Sequence, residues 1–242
     1  RTVRPEGAIG DPVLAGFADA SIEAMCAVVY CVWDSTEGPK SNLLLAKVRV
    51  TAVNGTTVPR AELQAMVILT RILHMAVKSS AVKIKRVTAT TDSKSCQAAL
   101  KRSGAELNPY FANRVAEIKH NLGEIAKEVK EVESFTHVES KLNPADIGTR
   151  TGVRVSDLGP QSIWQQGPKF LQLPREQWPV TSQATGDVPG EELRKRRLDT
   201  WKGFAAAAEG RRTEKLQNPD SQEETTAEWR GEVRAPSSCR AT

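Results

Sequence analysis

The chain has 242 residues, of which 39% are hydrophobic and 26% charged, with 34 lysines and arginines against 29 acidic residues. That length allows one large domain or one domain with appendages, and the hydrophobic share suffices for a proper core. The net charge of +5 and a pI of about 9.1 are compatible with an anionic partner such as nucleic acid but are too modest to require one.

No apolar stretch is long enough to span a membrane. The N-terminus, Arg1-Thr2-Val3-Arg4-Pro5-Glu6-Gly7, has neither an initiator Met nor an apolar signal core, so a piece of a longer polypeptide is expected. The four cysteines, Cys26, Cys31, Cys96 and Cys239, include no Cys-x-x-Cys pair. Cys26 and Cys31 are an odd number of residues apart and would face opposite sides of one strand. A reduced compartment fits this usage, and a zinc site does not.

The first apolar run, Val13 to Ala18, has strand length and ends in a single carboxylate, Asp19, followed by Ala20 and Ser21. Because an unpaired carboxylate is costly to bury, Asp19 is expected at a strand edge facing water or a cation. Apolar runs at Met25 to Trp33 and Leu43 to Val50, the second one following the turn-rich Asp34 to Pro39, complete an antiparallel meander. Thr56-Thr57-Val58-Pro59 then offers caps and a proline suited to a helix start. Leu63, Met66, Val67, Thr70, Leu73 and Val77 recur at helical spacing, so Pro59 to Val77 reads as a largely buried helix with Glu62 in its first turn. There the helix dipole alone explains a carboxylate.

Val82 to Thr91 has strand character and again ends in a carboxylate, Asp92; Ser93 can cap a short helix to about Leu100. A helix follows from Tyr110 to about Val129, with Phe111, Val115, Ile118, Leu122 and Ile125 broadly on one face, and then a short strand, Val132 to Val138. Strand, helix, strand implies parallel pairing, because parallel neighbours need a long crossover. Asn143-Pro144-Ala145-Asp146 reads as a helix start with Asn143 as the N-cap. Residues 151–179 are irregular but apolar enough to pack on a domain, as a docked extension of the domain at residues 10–150. From about Val180 to residue 242 the composition turns polar, with the basic run Arg194 to Arg197, and a linker or flexible tail is expected, although Glu191 to Ala208 has helical character.

Four carboxylates, Asp19, Glu62, Asp92 and Asp146, therefore stand at strand ends or in first helical turns, where they can converge on one point. A cluster of like charges is costly unless cations neutralise it, and Mg²⁺, a hard ion that prefers oxygen ligands, would do so. Two such ions about 3.5–4 Å apart can activate a water and stabilise the leaving oxygen in phosphodiester hydrolysis.

The order of elements, three antiparallel strands, a helix, then strand, helix, strand, with carboxylates in the order Asp, Glu, Asp, Asp, resembles the ribonuclease H fold. More narrowly, Phe17-Ala18-Asp19-Ala20-Ser21, Pro59-Arg60-Ala61-Glu62-Leu63, Thr91-Asp92-Ser93, Asn113 to Ile118, and His137-Val138 with Asn143-Pro144-Ala145-Asp146 resemble the ribonuclease H region of BEL/Pao-type retrotransposon polyproteins. Gly167 to Leu171 and Trp178-Pro179 are similar to the segment C-terminal to that region in the same family. The resemblance covers about residues 10 to 180. It implies an α/β fold with a mixed five-stranded sheet flanked by helices, followed by a polar C-terminal extension. It also implies that Asp19, Glu62, Asp92 and Asp146 bind two Mg²⁺ ions, with Mn²⁺ as a substitute, and that the enzyme hydrolyses the RNA strand of RNA-DNA hybrids during reverse transcription. His137 would assist proton transfer or product release, although its spacing differs from that of related enzymes and a structural role at a strand end is equally open.

Implied partners are the hybrid and the reverse transcriptase and integrase regions of the same polyprotein, with no membrane; the implied location is the cytoplasm, within retrotransposon particles. A catalytically silent scaffold or domesticated nucleic-acid-binding module of the same fold is the alternative, and the presence of all four carboxylates argues against it. An integrase-like or transposase-like nuclease would end its acidic triad in a Glu on a helix, whereas Glu62 here comes between the first and second Asp.

Overall fold

The computed structural model describes residues 4–52, 56–182 and 186–194. Five strands form one sheet in the order β3-β2-β1-β4-β5. β1 (Ala8–Ala20), β2 (Ala24–Ser35) and β3 (Lys40–Val50) are the antiparallel meander, while β4 (Arg86–Thr91) and β5 (Glu131–His137) are parallel to β1. This is the mixed sheet expected from the sequence.

β1 is central, and its two faces are both buried. Leu14, Ala18 and Ala20 point into one core, whereas Ala15 and Phe17 point into the other, as the period of two requires. The same alternation sends Cys26 to one core and Cys31 to the other, each as a free thiol. Asp19 lies on the Phe17 face and is only 9% exposed. It is thus buried between β2 and the start of the later loop rather than set at a wet edge, because β1 runs on to Ala20 with paired neighbours on β2.

α1 (Val58–Ser79) and α3 (Pro109–Glu128) cover the first face, with α1 buried along Leu63, Met66, Leu69, Thr70 and Leu73. They are tied together inside by Asn121 Nδ2, which donates to Thr70 Oγ1 at 3.1 Å. The sheet meets α1 closely at Gly16, where a Cβ would stand 2.8 Å from Leu69 Cδ1 and 3.3 Å from the Thr88 carbonyl. α1 starts at Val58, one residue earlier than expected, so Glu62 falls beyond the first turn, which contains no acidic residue. Compensation of the helix dipole therefore does not account for Glu62, since that effect fades within one turn.

β4 is shorter than its sequence pattern, because residues 82–85 lie outside the sheet. α2 (Lys94–Lys101) is capped by Ser93, whose Oγ accepts from Cys96 N. β5 carries a bulge: its register against β4 shifts between Thr88 and Thr90, and Phe135 adopts φ 25°, a strained value for a bulky residue. Gln97 Nε2 fixes the bulge by donating to the Phe135 carbonyl at 2.6 Å.

The second face is covered by the irregular segment after β5. Phe170 and Trp178 stack edge-on in series with Phe17 and Tyr30, at centroid separations of 5.9–6.1 Å. The Tyr30 hydroxyl donates to the carbonyls of Ile163 and Trp164 in the short helix α4 (Ile163–Gln166). The compact unit runs to Arg194, beyond the expected start of a linker at residue 180. Thr181 pairs with His137 in an isolated antiparallel bridge, Val188 is buried in the main core, and Leu193 pairs with Leu107. The linker expectation overlooked the fact that a few apolar and paired residues suffice to dock a polar segment. The remaining tail, residues 195–242, which includes the basic run from Lys195 and most of the helical pattern, lies outside the described residues.

Candidate active site

The end of β1, the turn after β4, the second turn of α1 and the 3₁₀ turn Pro144–Gly148 meet at one corner of the sheet. Asp19, Asp92, Glu62 and Asp146 come from these four places. Asparagine and threonine side chains from the last of them stitch the corner together. Asn143 Nδ2 donates to the Ala18 carbonyl at 3.0 Å and to Asp92 Oδ1 at 3.3 Å, while its Oδ1 accepts from Ala145 N. One residue thereby caps the turn that carries Asp146 and holds the carboxylate of Asp92. Thr149 Oγ1 donates to Asp19 Oδ2. Ser93 Oγ donates to Glu62 Oε2 at 2.6 Å, so the cap of α2 also orients the carboxylate of α1. Gly148 lets the turn sit against β2, because a Cβ there would overlap Cys26 Sγ.

The electrostatics couple the four groups. Asp19 is pushed up to about 6, first by burial and then by the charges of Asp92 and Asp146, against the opposing hydrogen bonds from Thr149 and Ala20. Glu62 is pushed up to about 7, again first by burial and then by Asp92 and Asp19, opposed by the Ser93 hydroxyl. Asp92 thus acts on both, and Asp146 on Asp19. Asp146 itself is ion-paired with Arg150, whose side chain is largely exposed.

His137 ends β5 with its backbone bonded to Thr181 on one side and paired with Thr91 on the other. The nearby carboxylate of Glu139 is held low first by the hydrogen bond and charge of Lys141 and then by the His137 imidazole. The structure brings together the four carboxylates and leaves His137 beside them.

In donor chemistry the four carboxylates fit a hard divalent cation. All donors are oxygens, and two of the acids are held up by burial and by neighbouring carboxylates, a cost that a cation would reduce. In spacing, no three His, Cys, Asp or Glu side chains among the described residues are grouped closely enough to hold an ion, and Arg150 stands against Asp146 in a cation's role.

A cleft of about 890 Å³ opens beside Asp146 and Asn143, with Ile147, Val153 and Phe170 in its walls and Lys141, Arg150 and Lys169 among its lining. Asn143, Thr149 and Ser93 acquire roles at the site that sequence reading assigned only in part. Ser93 and Asn143 were legible as caps, but their second hydrogen bonds span 31 to 125 residues of chain and leave no local signal. No helix among the described residues is long and apolar enough to cross a membrane.

Residues 1–93 match the family described as Pao retrotransposon-like RNaseH-like domain. No curated protein matches the chain. Among solved structures, RNase H1 from the halophilic archaeon Halobacterium salinarum NRC-1 is similar at 17% identity and a TM-score of 0.36, over 56% of this chain and 91% of that one. LC11-RNase H1, isolated from compost by a metagenomic approach, is similar at 18% identity and a TM-score of 0.38, over 62% of this chain and all of that one. A structure of LC11-RNase H1 in complex with RNA/DNA hybrid is similar at 18% identity and a TM-score of 0.37. Residues 1–93 are thus similar to the Pao retrotransposon-like RNaseH-like domain, and the mixed five-stranded sheet that they begin, in the order β3-β2-β1-β4-β5, has the arrangement expected of a ribonuclease H-like fold.

Proposed function

We propose that the protein is a metal-dependent endonuclease that hydrolyses the RNA strand of RNA-DNA hybrids, acting in retrotransposon reverse transcription. The observation that carries this reading is the convergence of four carboxylates on one corner, where burial first and the charge of Asp92 second hold Asp19 and Glu62 up, in a chain whose residues 1–93 match a ribonuclease H-like domain. Buried carboxylates that are held up in one another's company are a mark of a site tuned for chemistry.

Asp19, Glu62, Asp92 and Asp146 would hold the Mg²⁺ ions. When bound, such ions supply activation of a water and charge stabilisation at the leaving oxygen. Asn143 keeps Asp92 turned toward Ala18 and the corner, and Thr149 and Ser93 orient Asp19 and Glu62 through their hydroxyls. Arg150, ion-paired with Asp146 and largely exposed, would be free to meet a phosphate if a cation were held by Asp146. Lys141, Arg150 and Lys169 along the adjacent cleft suit a backbone of phosphates, so binding weakens as salt rises. Selection for ribose follows from 2′-OH contacts and duplex shape, the features by which an open site distinguishes RNA from DNA.

The test is cleavage of a labelled RNA-DNA hybrid with Mg²⁺ and with chelator. Cutting of the RNA strand in Mg²⁺ alone is expected. Equal cutting in chelator contradicts metal dependence, and hybrid binding without cutting, in Mg²⁺, would favour a silent module of the same fold.

A further inference from the structure

We infer that residues 186–194 form a strap that positions Glu62, with Glu192 as the positioning residue acting through Arg60; the inference rests on the nuclease reading above. The segment is polar in composition, yet Glu192 is wholly buried, at 0% exposure. A carboxylate is stable there only if its oxygens are paired, and both are. Arg60 Nε donates to Oε1 at 2.7 Å and Arg60 Nη2 to Oε2 at 3.2 Å, while Asn108 Nδ2 donates to Oε2 at 2.6 Å.

Arg60 lies two residues before Glu62, in the first turn of α1. Thr57 at the N-cap of that turn makes no side-chain hydrogen bond, and the turn is held otherwise by the Ala61 N to Thr57 carbonyl bond and by Cys96 Sγ and the Tyr110 hydroxyl on the carbonyls of Pro59 and Arg60. The strap adds a two-point hold on the Arg60 side chain from more than a hundred residues away. It is itself anchored to the start of α3: Asn108 N donates to the Glu192 carbonyl at 2.9 Å, and Arg194 N to the Glu106 carbonyl at 2.8 Å. Tyr110, in the first turn of α3, places its ring 5.0 Å from the Arg60 guanidinium. At its other end the strap crosses α2 so closely that a Cβ on Gly186 would stand 2.8 Å from the backbone carbon of Lys94. Lys94 follows Ser93, whose hydroxyl donates to Glu62. The strap therefore touches the chain on both sides of Glu62: the turn that precedes it and the residue next to the cap that orients it.

The experiment uses the full chain with Glu192→Ala, Arg60→Ala, the double variant and Glu192→Gln, and reads amide hydrogen exchange together with steady-state hybrid cleavage below each variant's melting point. Glu192→Ala is expected to accelerate exchange in the first two turns of α1 but not in its C-terminal half, and to lower kcat roughly ten- to a hundred-fold with KM little changed. The double variant should lose no more than Arg60→Ala alone, because the two residues act as one unit. Glu192→Gln, which keeps the shape and one acceptor, should retain most of the activity; if Glu192→Ala does not fold, a smaller acceleration at the same amides is expected from Glu192→Gln. Unchanged exchange at the start of α1, additive losses, or a loss confined to KM overturns the inference. If the wild-type chain cuts no substrate, the nuclease reading fails, and the exchange pattern alone decides whether the strap holds Glu62.

Discussion

Asp19→Asn should stabilise the metal-free protein at alkaline pH and do so less as the pH falls. Asp19 is 9% exposed and is held at about 6 against an ordinary value of 3.8, chiefly by burial. The folded chain therefore binds a proton more tightly than the unfolded chain. Above pH 6 the wild type carries the full cost of a buried charge; as the pH falls through about 6 toward 4 the folded state takes up its proton first and stability is gained. A shift of about two units corresponds to about 3 kcal/mol, which is a ceiling. Asn gives back part of it, since Asp19 accepts from both Thr149 and Ala20 and an amide has one acceptor oxygen; a lost bond costs about 1 kcal/mol. The net expectation at pH 8 in chelator is a gain of about 1–2 kcal/mol, or roughly 3–6 °C in Tm for a chain of this size. At pH 4 the gain should be gone. Millimolar Mg²⁺ should raise the Tm of the wild type more than that of the variant, because a ligand that binds only the folded state stabilises it by mass action. Thermal denaturation across pH 4–8, with chelator and with Mg²⁺, is the assay. A Tm difference that does not vary with pH, or a variant less stable than wild type at pH 8, refutes the reasoning.

Gly16→Ala should cost about 1–3 kcal/mol in chemical denaturation, because the added methyl overlaps Leu69 and has the Thr88 backbone behind it; wild-type stability would mean that the sheet and α1 are not so closely packed. Phe170→Ala removes the middle ring of the Phe17, Phe170 and Trp178 series and should cost about 3 kcal/mol or more, with limited proteolysis cutting first within residues 151–179. An unchanged digestion pattern would show that the extension is not held by that cluster.

The meander was legible because β1 and β2 are buried on both faces and read as near-continuous apolar runs, and α1 because its apolar residues recur with helical period. The Asp-Glu-Asp-Asp order was legible because Asp19 and Asp92 stand at the ends of apolar runs and Glu62 and Asp146 each follow closely on a proline that signals a helical start. β4 was overread: Val82 and Ile84 have strand character, yet residues 82–85 stay outside the sheet apart from one bond from Lys85 N to the Pro12 carbonyl, and pairing is a property of the fold rather than of the run. The contact of Thr149 with Asp19 joins residues 130 apart, and no spacing rule reports it. Glu192 was hidden in the same way. A charge in a polar segment looks solvated until its partners, here Arg60 and Asn108, are known.

The central claim is that Asp92 links Asp19 and Glu62 in a hybrid-cutting site, and Asp92→Asn tests it most directly. One sequence is presented as RNA-DNA hybrid, RNA duplex, DNA duplex and single strand, in Mg²⁺ at fixed salt, to wild type and variant, with circular dichroism as the check of folding. The wild type should cut only the RNA of the hybrid, and the folded variant, which loses a charge with almost no change in volume, should cut nothing. Undiminished cleavage by the variant, or equal cutting of the DNA duplex by the wild type, would contradict the account.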